Sequence, residues 1–410
     1  MNFATELLHG GLLPDKATGA TTLPIYQTAA YNQDSAEDLE KIFALRKPGF
    51  VYSRISNPTT ATFERRISDL ERGAGAVAFS SGMAAISAAI MNVVEVGDEI
   101  VSSGSLFGGT SSFLSELENF GIKIRYVTNN RVENFADLVT NKTKLFYVET
   151  IGNPKLDVAD IATLAELAHE NNLPLFVDST VTTPYLVRPL ELGADVVIHS
   201  ISKMINGGGN SIGGIVVVGK NFRWDMEKFP KLADFDSFGT LKYLARLRAK
   251  MLTNFGGCPS PFNIFLTNVG LDTLALRMER ACQNALKLAT FCAENKKVEV
   301  NYPGLKNNFY HALAEKQFGN HFGTILTLKF GTKEKAFGFL NSLRFALKAS
   351  NIGDARTLAI HPASTIYLHS SETEKLNAGV TDDLVRVSVG IEDISDLLDD
   401  FSKTDSTLLK

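Results

Sequence analysis

The 410-residue chain predicts an α/β fold: a large domain on a mostly parallel, doubly wound sheet, then a smaller α+β C-terminal domain. Three observations carry that prediction. Short apolar runs alternate with helical periodicity between residues 76 and 218, the pattern of strands covered on both faces. Two of those runs lead into residues that carry chemistry: Leu173-Pro174-Leu175-Phe176-Val177 into Asp178, and Ala194 to Ile198 into His199. After Lys220 the texture changes to aromatic and charged residues, long helical patterns and then shorter alternating runs.

Taken in order, residues 1 to 60 are punctuated by Gly10, Gly11, Pro14, Gly19, Pro24, Pro48, Gly49 and Pro58. They read as an extended arm, and so long an irregular stretch predicts packing on a neighbouring subunit. Thr60 to Glu71 reads as a helix with Ile67 and Leu70 on its apolar side, and Ala76 to Phe79 as a strand. Ser80-Ser81-Gly82-Met83 then opens an alanine-rich helix. Free N–H groups at such a start suit an anion, and Gly82 lets it come close, although plain capping by Ser81 explains the same residues. Glu99–Ser103, Ile122–Val127 and Lys144–Val148 read as strands, Ile161–Asn171 as an amphipathic helix, and Gly213–Val218 as the last strand of the large domain, which spans 61–255. Residues 256–410 read as a connector helix, Pro261–Glu294, and a small domain with a strand at Gly323–Phe330 and a helix at Lys335–Leu347.

Composition excludes several classes. Hydrophobic residues at 44% and charged residues at 21% describe an ordinary globular protein. The net charge of −4, without a basic stripe, argues against nucleic acid as a partner. Cys258, Cys282 and Cys292 form no C-x-x-C pair, so neither a disulfide framework nor a metal site is expected, and a reducing compartment fits. Neither a secretory leader nor a membrane-spanning apolar run is visible, which predicts a cytoplasmic protein with no membrane partner.

The chemistry centres on His199-Ser200-Ile201-Ser202-Lys203, followed by Gly207-Gly208-Gly209. A lysine beyond a buried strand is favoured in its neutral, nucleophilic form, which makes a Schiff base with an aldehyde. Ser200 and Ser202 suit a phosphate beside it. Together they point to pyridoxal 5'-phosphate (PLP), with an exposed lysine beside a flexible loop as the competing reading. Asp178 lies 25 residues before Lys203, about one strand-helix-strand unit. An acidic partner keeps the PLP ring nitrogen protonated, and strand carboxyl ends are where ligands bind in such sheets. Helix capping is the alternative use of Asp178.

Around these residues, Leu23-Pro24-Ile25-Tyr26-Gln27-Thr28, Glu149-Thr150-Ile151-Gly152-Asn153-Pro154, Asn351 to Ser364 and Arg386-Val387-Ser388-Val389-Gly390 complete a pattern that resembles the Cys/Met-metabolism PLP enzymes from about Thr5 to Asp399. The resemblance implies fold type I, with Lys203 carrying the cofactor and Asp178 and Thr180 beside it. It implies a phosphate held by Ser81, Gly82, Met83, Ser200 and Ser202, and by Tyr52 and Arg54 reaching across a dimer. It implies that Phe107 stacks on the ring, that Asn153 meets cofactor or substrate, and that Thr357 and Arg386 contact the substrate carboxylate. Departures are Phe107 where relatives carry tyrosine, Gly109 where methionine γ-lyases carry cysteine, Gly208 in the glycine loop and Tyr367 in place of histidine. Phe107 keeps the stacking and lacks a hydroxyl for acid catalysis.

The motifs look most like O-acetylhomoserine sulfhydrylase. That implies γ-replacement on O-acetyl-L-homoserine with sulfide or a thiol, to give L-homocysteine or methionine, by a homotetramer built as a dimer of dimers. A γ-lyase or a cystathionine γ-synthase is the alternative, and a PLP-binding protein without catalysis a more distant one.

Overall fold

The computed structural model describes residues 1–12, 14–15, 18–44, 46–294 and 298–402. Seven strands form the larger sheet: β1 (Gly75–Phe79), β2 (Glu99–Ser103), β3 (Lys123–Val127), β4 (Thr143–Glu149), β5 (Leu175–Asp178), β6 (Val196–His199) and β7 (Gly214–Val218). Their order is β1-β7-β6-β5-β4-β2-β3. The strands from β6 through β3 run parallel, and β7 runs antiparallel to both of its neighbours.

The sequence dictates this arrangement through two-sided burial. In β4 to β6, Phe146, Val148, Val177 and Val197 enter one apolar cluster, while Leu145, Tyr147, Phe176, Val196 and Ile198 enter the other. A strand apolar on both faces needs helices on both. The helices Gly82–Met91, Gly108–Asn119 and Ile161–Glu170 lie in the crossovers that supply them, and Pro58–Glu71 leads into β1. The cluster containing Phe146 continues into a second sheet of β8 (Glu299–Asn301), β9 (Ile325–Lys329), β10 (Leu347–Lys348), β11 (Leu358–Ile360) and β12 (Leu384–Ser388), ordered β10-β11-β12-β9-β8. That sheet is antiparallel except for the β10–β11 pair.

Two elements differ from the sequence reading. The expected connector Pro261–Glu294 is two helices, Pro261–Asp272 and Leu274–Glu294. At the break, Arg277 Nη2 donates to the Gly270 carbonyl at 2.7 Å, competing for an oxygen the helix would otherwise use. The helix expected to reach Leu347 spans Lys333–Ser342. Buried Asp400 accepts from the backbone N–H groups of Arg344 at 2.8 Å and Phe345 at 3.0 Å and draws the chain out of helical geometry.

In the arm, the helix Phe3–His9 packs on its own chain through buried Leu7, and Arg66 Nη2 donates to the Leu7 carbonyl. Residues 21–44 and 46–50 are mostly exposed and include a second short helix, Ala36–Phe43. No helix among the described residues is long and apolar enough to cross a membrane.

Candidate active site

A cavity of about 520 Å³ opens at the carboxyl ends of β4, β5 and β6. Ser81, Gly82, Met83, Phe107, Asn153, Asp178, Thr180, Ser200, Ser202, Lys203 and Arg386 all line it. These residues come from six separate stretches of sequence, and the sheet order brings them together.

Asp178 is the last residue of β5 and is 8% exposed. Burial raises its pKa, opposed by hydrogen bonds from Thr180, whose N–H reaches Oδ1 at 2.9 Å. A carboxylate buried in the cavity wall favours a cationic partner, and a pyridinium N–H meets that need. Thr180 Oγ1 accepts from the Ser200 N–H at 2.8 Å and so ties the ends of β5 and β6 together. Lys203 lies four residues past β6, in a tight turn, and its Nζ donates to Asn351 Oδ1 at 2.6 Å. Burial first, and then the charge of Arg386, lowers the Lys203 pKa. The amine is therefore biased toward its nucleophilic form.

An anion cradle lies beside it. Ser81 Oγ caps the helix Gly82–Met91 by accepting from the Ala84 N–H at 3.0 Å, which leaves the N–H groups of Gly82 and Met83 without helical partners. A Cβ on Gly82 would stand 2.7 Å from Ser200 Cβ, so a larger residue would fill the space between the helix start and the serine. The helix dipole, the backbone donors and the Ser200 hydroxyl suit a phosphate dianion. Ser202 lines the same wall, while its hydroxyl also exchanges hydrogen bonds with the Gly213 backbone at 2.9 and 3.1 Å. The donor set, the carboxylate and the amine fit PLP.

On the opposite wall, Arg386 of β12 is 2% exposed. Its Nη1 donates to Asn153 Oδ1 at 3.2 Å and its Nη2 to the Asn351 carbonyl at 3.1 Å. Its Nε has no partner among the described residues. Burial brings its pKa down to about 10, which leaves it charged at neutral pH. A buried guanidinium with a spare N–H suits a carboxylate.

Three expected residues lie elsewhere. Thr357 is fully buried away from the cavity: its Oγ1 donates to Glu392 Oε2 at 2.9 Å and accepts from the Gly390 N–H at 3.0 Å. With its hydroxyl and N–H committed to holding Glu392 and the end of β12, it offers nothing to a substrate. Ser350 and Asn351, from the start of the same motif, line the cavity instead. Tyr52 is 42% exposed and lies outside the chain's own cavity, as does Arg54, which donates to the Thr253 carbonyl and whose guanidinium is 5.3 Å from the Tyr52 ring centre.

Sequence reasoning gave no role to Glu149, which also lines the cavity. It ends β4 as Asp178 ends β5, so the end-of-strand rule that singled out Asp178 applies to it equally. Burial first and the nearby Asp178 second push its carboxyl well above the ordinary range, against the pull of the N–H groups of Phe107 and Asn153.

Comparison with known proteins places the chain in a family. The family described as Cys/Met metabolism PLP-dependent enzyme matches residues 4–404. An O-acetyl-L-homoserine sulfhydrylase from Corynebacterium glutamicum is 43% identical over 97% of this chain and 95% of its own. A homocysteine synthase from Schizosaccharomyces pombe is 41% identical over 98% and 97%. A Campylobacter jejuni structure bearing a pyridoxyl-lysine monophosphate superposes with a TM-score of 0.95 at 32% identity, covering 99% of this chain and 100% of the other. The cavity's residues and the match over nearly the whole length lead to one conclusion: the chain belongs to the Cys/Met-metabolism family of PLP-dependent enzymes.

Proposed function

We propose that the chain catalyses γ-replacement on O-acetyl-L-homoserine with sulfide or a thiol, releasing acetate and forming L-homocysteine or its thioether, methionine. The observation that carries this reading is the placement of a neutral-biased Lys203 amine and a buried Arg386 guanidinium in one cavity. The two relatives reported above are named O-acetyl-L-homoserine sulfhydrylase and homocysteine synthase, which supports the choice of substrate.

Bound PLP supplies an electron sink that makes the protons at Cα and then Cβ removable. The chain's own residues do the rest. Arg386 holds the substrate α-carboxylate, with Asn153 fixing one edge of the guanidinium. Asp178 keeps the ring nitrogen protonated. The Lys203 amine takes the Cα proton, serves at Cβ, and returns protons after the sulfur nucleophile has replaced acetate at Cγ. Phe107 offers a face and no acid, and acetate needs little acid help to leave.

Tyr52 and Arg54 serve the phosphate of a neighbouring subunit in this reading, with residues 1–60 as the arm that carries them. The exposure of Tyr52 and the absence of both residues from the lining of the chain's own cavity support it. The assembly proposed is a cytoplasmic homotetramer, a dimer of dimers. Product analysis tests the reaction: purified protein with O-acetylhomoserine and sulfide should yield homocysteine, and methionine or cystathionine alone should yield little 2-oxobutyrate. Abundant 2-oxobutyrate and ammonia from the second incubation would assign a degradative γ-lyase instead.

A further inference from the structure

Phe107 and Asn153 stand on neighbouring loops at the ends of β2 and β4, and both line the cavity. A phenylalanine ring has no polar atom with which to fix itself, so its position depends on its backbone. That backbone is held from two sides. The Leu106–Phe107 peptide gives its N–H to Glu149 Oε1 at 2.6 Å, and its carbonyl accepts from the Tyr367 hydroxyl at 2.8 Å. The same two side chains take hold of Asn153: its N–H donates to Glu149 Oε2 at 3.2 Å, and its carbonyl lies 3.3 Å from the Tyr367 hydroxyl. A hydroxyl has one proton, so the shorter contact to Leu106 is the main bond and the longer one a shared second.

Both clamping groups are buried, Glu149 at 5% and Tyr367 at 1% exposure. The gap they close is narrow. A Cβ on Gly108 would stand 3.3 Å from Tyr367 Cζ, and one on Gly152 would collide with Ser105. Tyr367 comes from the segment after β11 and Glu149 from the large sheet, so the clamp joins the two parts of the molecule across the cavity wall. Asn153 in turn accepts from Arg386 Nη1.

We propose that Glu149 and Tyr367 are a pair of positioning residues that together set the Phe107 ring against the bound cofactor and the Asn153 amide against Arg386. The inference rests on the PLP reading of the cavity and deepens it. The tyrosine at position 367 acts through its hydroxyl, which bonds backbone carbonyls rather than the substrate.

The test uses the PLP-loaded protein with Tyr367→Phe, Glu149→Gln and the double variant. Tyr367→Phe keeps the ring and should fold and bind PLP. Its cofactor circular dichroism, normalised to cofactor absorbance, should weaken, and kcat should fall by about 5–10-fold, the worth of one buried hydrogen bond. In Glu149→Gln one of the two N–H groups faces an amide NH₂, so hydrogen exchange at Phe107 or Asn153 should quicken by about tenfold. Glu149→Asp is the fallback if the glutamine variant does not fold. Acting as one device, the two changes should be non-additive, the double variant losing less in kcat than the product of the single losses.

Wild-type cofactor dichroism and kcat in Tyr367→Phe, or a double loss equal to that product, would overturn the proposal. Failure of the wild-type protein to take up PLP would instead sink the cofactor reading. The exchange measurement, which needs no cofactor, would still decide whether the clamp exists.

Discussion

Glu99 at one end of the larger sheet and Asp178 and Glu149 at the other are treated in opposite ways. Glu99 starts β2, and Arg125 of β3 donates to both of its oxygens, at 2.5 and 3.0 Å. That guanidinium, with Thr140 assisting against burial, holds Glu99 down to about 2. Asp178 and Glu149 end β5 and β4, and burial pushes both upward. One end of the sheet satisfies its charges internally. The other keeps unsatisfied polar groups around a cavity, and these are the groups that a cofactor and a substrate complete. Neighbouring strands therefore carry stability at one end and function at the other.

Breaking the functional end should have the largest effect. Lys203→Ala removes the nucleophile and the base together, and γ-replacement should fall by at least about 10³-fold. Steady-state rates at saturating substrate check this; a loss smaller than tenfold would place the chemistry on another group.

Asp178→Asn separates function from stability. Turnover should fall by roughly 10²-fold, because the ring nitrogen loses its charged partner. The cofactor-free protein should melt higher than the parent, since the substitution removes a carboxylate that burial penalises. Thermal melts with and without PLP measure both effects, and a lower midpoint in the cofactor-free variant would contradict the account of Asp178.

The smallest effect belongs to the other end. Glu99→Gln should leave turnover unchanged and cost about 1–3 kcal/mol in denaturant unfolding, because it takes the anion from a partly buried pair. The sign of its pH dependence follows from a folded pKa below the unfolded one. The Glu99 contribution is present above about 4.5 and fades as pH falls toward about 2. The parent should therefore lose more stability than Glu99→Gln over that interval, and parallel acid-unfolding curves would contradict it.

This contrast also separates what the sequence reveals from what it hides. The parallel sheet is legible because strands buried on both faces read as unbroken apolar runs, as in the residues before Asp178 in β5 and before His199 in β6. Lys203 and Asp178 are legible because each follows such a run at a strand's carboxyl end. Glu149 shares that signal and was passed over as part of a longer motif. Thr357 shows the limit of a motif match: the segment it lies in reaches the cavity, but through Ser350 and Asn351, while Thr357 points into Glu392. The break at Thr273 was illegible because its cause, Arg277 reaching Gly270, is a contact between side chain and backbone that periodicity cannot register.

One measurement tests the role of Lys203 most directly. Purified protein incubated with PLP, reduced with borohydride and digested should give a single pyridoxylated peptide, with the label mapped by mass spectrometry to Lys203. A label on another lysine, or none at all, would contradict the assignment of the cavity at the carboxyl ends of β4 to β6 as the reaction site.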